Sequence, residues 1–127
     1  MDIKTHESIS RALCGVPREL REGYSRVELE TTLDMAVDNS GLVHGGFIFG
    51  QADYAAMIAV NRPNVVLGAA EVKFLKPVEA GELVIAEAKV TETDGKKRIV
   101  EVSVTGGGAT VFEGKLTCFV LDQHVLR

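Results

Sequence analysis

The chain has 127 residues, 46% of them hydrophobic, and its 14 basic and 18 acidic side chains leave a formal charge of −4. That is apolar material enough for one domain with its own core and no disulfide or metal staples, and the charge offers no basic stripe to neutralise a phosphate backbone, so nucleic acid is not an expected partner. A bilayer span needs roughly 18 to 20 uninterrupted apolar residues, and the longest candidate, 42–60, is broken by His44, Gln51 and Asp53.

Cys14 and Cys118 stand far apart, and no apolar leader pattern opens the chain. Reduced thiols in a soluble, cytoplasmic protein are the expectation. The segment from Thr5 to Cys14 predicts a short helix with Thr5 as N-cap, stopped by Gly15 and Pro17. From Arg26 to Val37 apolar and polar residues alternate over a dozen positions, which predicts one long strand with a wet face.

Asp38-Asn39-Ser40-Gly41 is turn chemistry, and His44-Gly45-Gly46 opens a second helix, which runs from Phe47 to Val60 and stops at Asn61-Arg62-Pro63. This helix is apolar nearly all round, so it belongs in an interior. Four further strands follow, 65–75, 82–93, 97–105 and 110–121, and the Asp94-Gly95 and Gly106-Gly107-Gly108 breaks make the last three an antiparallel meander. A flat sheet covers a helix on one side only. The sheet must therefore curl around this one, or a second subunit must close it off.

The order of features, Gly41-x-x-His44-Gly45-Gly46, then Asp53 within an apolar helix, then "FLKPVEAGELVIAEAKV" at 74–90, resembles the hotdog-fold thioesterases. The branch is that of the phenylacetate-pathway and human acyl-CoA thioesterases, and the resemblance covers roughly residues 24–121. It implies an α+β fold in which an antiparallel sheet of five or six strands wraps one long hydrophobic helix. The whole chain, 1–127, is then a single hotdog domain with residues 1–20 as a helical segment packed on it. The resemblance further implies homodimers with a continuous sheet, usually paired into homotetramers. The expected reaction is hydrolysis of acyl-CoA thioesters with no metal and no organic cofactor, CoA entering only as part of the substrate, and with no nucleic acid or membrane partner.

Thioester hydrolysis requires an attacking oxygen and a donor for the oxyanion that develops. Between Gly45 and Asn61 the only charged residue is Asp53. By resemblance Asp53 is the catalytic carboxylate, either as nucleophile or as general base for water, and the Gly45 amide binds the thioester oxygen. Gly45 stands where a helix begins and backbone N–H groups lack intrahelical partners, which suits that role. The plainer reading makes Gly45 and Gly46 a tight strand-to-helix turn, and Asp53 a structural acid paired across the dimer with Arg62 or a lysine.

His44 lies nine residues from Asp53, about 14 Å along a helix axis, so the two form no dyad within one chain, and His44 reads as a supporting residue of the turn. Family members commonly carry an amide six residues before the histidine. Here Asp38 occupies that place with Asn39 beside it, so one of the two serves in a supporting role. A hydroxyl that some members carry on the next strand would fall near Leu67 and Gly68, and is missing. Gln51 and Tyr54 flank Asp53 and are candidates for the acyl pocket. Lys73 and Lys76, with Lys96, Lys97 and Arg98, are candidates for the CoA phosphates. His6 and His124 show no metal-ligand spacing. Two other functions compete: an acyl-CoA-binding module without turnover, and an acyl-CoA hydratase or dehydratase. The second would need an acid at Asn39 or Ile58, and neither can supply acid-base chemistry.

Overall fold

The computed structural model describes all of residues 1–127. Its elements are helix α1 (Arg11–Cys14), strands β1 (Val16–Arg21) and β2 (Tyr24–Glu30), helix α2 (Gly45–Val60), and strands β3 (Val65–Phe74), β4 (Leu83–Asp94), β5 (Lys97–Gly106) and β6 (Ala109–Val120). The six strands form one antiparallel sheet in the order β1-β2-β4-β5-β6-β3, and α2 packs across it, chiefly on β4, β2 and β5. The meander β4-β5-β6 stands as its turn residues predict. The expected architecture, a long apolar helix wrapped by an antiparallel sheet, is the one observed.

Two expectations need correction. The helix predicted from Thr5 is confined to Arg11–Cys14, and its N-cap is Ser10, whose hydroxyl accepts from the Leu13 N–H at 3.3 Å. Thr5 is instead buried, at 8% exposure. Within the segment 1–20, expected to be helical, Val16 to Leu20 belong to strand β1, which turns through Glu22-Gly23 into β2. Pro17 tolerates that position because β1 is an edge strand.

The long strand predicted over Arg26–Val37 ends at Glu30. Thr31 leaves the ladder to tie the chain to another loop: its N–H bonds the Glu82 carbonyl at 3.0 Å, its hydroxyl donates to the same oxygen at 2.7 Å, and its own carbonyl accepts from Gly81 at 2.9 Å. A 3-10 turn at Leu33–Met35 follows and breaks the alternation, leaving Leu33 79% exposed and Met35 buried.

Helix α2 starts at Gly45, two residues before its first aromatic. Its second half, Tyr54 to Val60, is buried on every side, and the small side chains of Ala52, Ala55, Ala56 and Ala59 let the sheet approach closely. The first half is not enclosed. Gly46, Phe47, Phe49, Gly50 and Asp53 retain exposure, and a Cβ placed on Gly50 would meet nothing within 4 Å.

Asn61 ends the helix in the left-handed region, φ 50° and ψ 51°. Its side chain also fastens the N-terminal arm, accepting from the Lys4 N–H at 2.7 Å and donating to the Asp2 carbonyl at 2.8 Å. Alanine there would lose both bonds, each worth about 1 kcal/mol, and would hold a left-handed conformation costing about 1 kcal/mol more. Asn61→Ala should therefore lower stability in urea unfolding by on the order of 3 kcal/mol, whereas Asn61→Gly, free of the backbone strain, should lose less and still release residues 1–5 to faster amide exchange.

Candidate functional site

Asp53 sits near the middle of α2, on the one side of the helix that the sheet leaves uncovered. Its Oδ1 is fully buried and has no hydrogen-bond partner, and no cation pairs with the carboxylate. Burial alone raises the carboxyl from 3.8 to about 6. Two thiols share its surroundings: burial, and after it the Asp53 charge, push Cys14 up and Cys118 up to about 12. Within the chain, neither Arg62 nor a lysine pairs with Asp53.

Beside the carboxylate lies a cavity of about 530 Å³. Asp53 and Met57 of α2, with Pro63 to Leu67 running into β3, form part of its wall, and the rest comes from the two ends of the chain: Lys4, Thr5 and His6 on one side, His124 and Val125 on the other. No local pattern announces these residues. They are polar side chains in irregular segments, and only the fold carries them to Asp53.

At the helix start, His44 is the N-cap, and its ring Nδ1 accepts from the Gly46 N–H at 3.3 Å. The ring is thereby committed to the turn. The Gly45 amide takes no acceptor within the chain. Both glycines are also closely packed: a Cβ on Gly45 would approach the Phe74 ring to 3.1 Å, and one on Gly46 would reach the His44 Nε2 at 3.1 Å. Asp38 shapes the preceding turn, its Oδ1 accepting from Ser40 at 3.0 Å and Leu42 at 3.3 Å, and Asn39 is exposed.

The remaining candidates lie elsewhere. Gln51 is fully buried, donating to the carbonyls of Val27 at 3.1 Å and Val84 at 3.0 Å, so it fastens α2 to β2 and β4 and is not on the wall of the Asp53 cavity. Tyr54 is buried on the side of α2 near α1, where burial raises its phenol and Arg11 and Cys14 act on it with opposite signs. Lys73 lines a separate cavity of about 640 Å³ on the charged outer face of the sheet, and Lys76 follows β3 in an exposed loop. Lys96 pairs with Asp122 at 2.8 Å, and Arg98 is turned onto its own hairpin through the Gly95 carbonyl.

A family model described as the thioesterase superfamily matches residues 40–112, and the chain belongs to that superfamily. Among curated proteins it is 53% identical, over 97% of its length, to a methylthioribose-1-phosphate isomerase of Aquifex aeolicus, of which it spans 27%. It is 31% identical over 77% of its length to the transcription factor FapR of Caldanaerobacter subterraneus, of which it spans 49%. The chain thus covers half or less of either relative. Among solved structures it resembles an uncharacterized protein of Pyrococcus horikoshii, at 56% identity and a TM-score of 0.98, covering 100% of this chain and 98% of that one. It also resembles a variant of the phenylacetic acid degradation protein PaaI of Thermus thermophilus, at 29% identity and a TM-score of 0.80, covering 87% and 96%.

The Asp53 carboxyl titrates near 6 in the fold and at 3.8 without it. The fold therefore binds the extra proton between those values, and its stability declines as pH rises from about 4 through 6. Asp53→Asn should abolish that decline and raise the melting temperature at pH 8, by the equivalent of on the order of 2 kcal/mol, with little change at pH 4.

Proposed function

We propose that the protein hydrolyses acyl-CoA, or a related acyl thioester, to free acid and thiol. The observation that carries this reading is a carboxylate inside an apolar helix, without countercharge or hydrogen bond at Oδ1, standing at the wall of a cavity. With its carboxyl near 6, Asp53 is about nine-tenths ionised at pH 7 and more basic than an exposed aspartate. It serves as general base for water or as the nucleophile. The free Gly45 N–H, at the positive end of α2, receives the oxyanion, a contribution of about 3 kcal/mol in related settings. These two groups suffice for the reaction, so the reading calls for no metal or organic cofactor.

Eight residues of helix put Gly45 and Asp53 about 12 Å apart along the axis, too far to act on one carbonyl. The reading therefore requires two chains, the amide of one facing the carboxylate of the other. Two features support a homodimer. Strand β3 is an edge whose residues Gly68 to Glu71 are exposed, and the side of α2 carrying Gly46 and Gly50 is uncovered. Pairing β3 with its copy would extend the sheet and close that side.

The similarity to a transcription factor favours a second reading, a domain that binds an acyl thioester without turnover. A pocket built only for binding has no use for an unpaired buried acid, which makes this reading second. The hydratase reading is weaker still, because the His44 Nδ1 is already taken by the Gly46 N–H.

A thiol-trapping assay over a panel of aliphatic and aromatic acyl-CoAs should show release of CoA, and Asp53→Asn should lower kcat by at least about a hundredfold in a protein that remains folded. Binding of the same compounds without thiol release would establish the second reading. The activity should be half-maximal near pH 6 and should fall about tenfold per pH unit below it, following the protonation of Asp53. Light scattering should give at least twice the chain mass of 13.7 kDa.

A further inference from the structure

The N-terminal arm, residues 1–9, lies outside the stretch that matches the family, yet it builds one wall of the Asp53 cavity. Its placement is over-determined. Asn61 clamps its backbone at Asp2 and Lys4, Ile3 and Ile9 pack against the core, and Thr5 is buried. The next residue, His6, is held at φ 52°, a left-handed conformation that costs any residue with a Cβ, although histidine, like asparagine and aspartate, enters it more often than most. Strain of this kind persists where the surroundings impose it, and it concentrates at functional sites. An imidazole is also the side chain best suited to hydrogen-bond a reacting molecule at neutral pH from either nitrogen.

The surroundings of the ring define its chemistry. Its Nδ1 is 2.8 Å from the Thr5 Oγ1, which leaves Nε2 as the nitrogen open to a molecule in the cavity. The charged and titratable groups on the same cavity are Lys4, Asp53 and His124. Burial lowers the ring's affinity for a proton, so at neutral pH it is uncharged, with one nitrogen able to accept. Asp53 lines the same cavity, and with its Oδ1 fully buried it is the other carboxylate oxygen that a molecule there can reach. A water molecule held between the two groups can give one O–H to that oxygen and the other to the imidazole.

We propose that His6 is a second polar residue of the Asp53 site, holding the attacking water between its ring and the carboxylate. The inference rests on the hydrolase reading. Nδ1–H donates to the Thr5 hydroxyl oxygen and Nε2 accepts from the water. Asp53 takes the water's other proton as the new C–O bond forms. The C–S bond then breaks, and the leaving thiolate receives that proton from Asp53. His6 is neither protonated nor deprotonated overall, and the product acid keeps the hydrogen that faced the ring.

The left-handed backbone at His6 allows a clean test, because glycine adopts φ 52° without strain. His6→Gly removes the ring while satisfying every backbone demand, so its melting temperature should equal or exceed that of the wild type. On a thioester that the wild type hydrolyses, kcat should fall by roughly tenfold to a hundredfold with KM changed less than about threefold. His6→Asn, which also tolerates this backbone and keeps a polar group, should recover part of the rate. A kcat within about twofold of wild type in His6→Gly, or a rise in KM alone, would overturn the assignment while leaving Asp53 in place. Absence of hydrolysis in the wild type itself would remove the hydrolase reading and this inference together, and would be seen before any variant is made.

Discussion

Every other feature of the structure answers to one constraint, a sixteen-residue helix with no polar face that must be covered all round. The sheet meets it by curling, so that β4, β2 and β5 lie under the helix and the strands on either side rise around it. Alanines at 52, 55, 56 and 59 keep the helix narrow enough to be enclosed. What the sheet leaves open is the side bearing Gly46, Gly50 and Asp53, and there a carboxylate meets a cavity. The incomplete enclosure of the helix is thus also what leaves Asp53 beside open space.

Asp53 shows how the fold shifts a titratable group. Its carboxyl rises to about 6 because water is excluded and nothing compensates, neither a cation nor a hydrogen bond to Oδ1. A salt bridge would have stabilised the fold and lowered the basicity. A fully sealed site would have kept the acid protonated at neutral pH. The observed balance, partial burial beside an open cavity, leaves it ionised at pH 7 yet basic, at a cost to stability that a structural residue would not carry.

The helix start is arranged on the same principle of leaving one group free. His44 satisfies the Gly46 amide, and the Phe74 ring lies close over Gly45, 3.1 Å from where a Cβ would stand. The Gly45 N–H is left over. At the other end Asn61 caps the helix in a left-handed turn and, with its remaining polar atoms, pins the arm that carries Thr5 and His6 to the Asp53 cavity. The two ends of α2 thus differ: one leaves a donor free, the other positions a wall of the Asp53 cavity.

The elements that depend on neighbours in sequence were legible from it: the long apolar helix, its stop at Asn61, the meander with its Asp-Gly and Gly-Gly turns, and the single acid at Asp53. Short-range chemistry decides these, through periodicity, turn residues and the absence of any other charge. The end of β2 at Glu30, the strand β1 and the true partners of Gln51 were not legible, because each is decided by a residue far away: Glu82 for Thr31, β2 for β1, and the Val27 and Val84 carbonyls for Gln51. The same holds for the cavity. Lys4 to His6 and His124 stand some fifty to seventy residues from Asp53 with no pattern linking them, and only packing, which brings both chain ends over one side of α2, makes them parts of a single site.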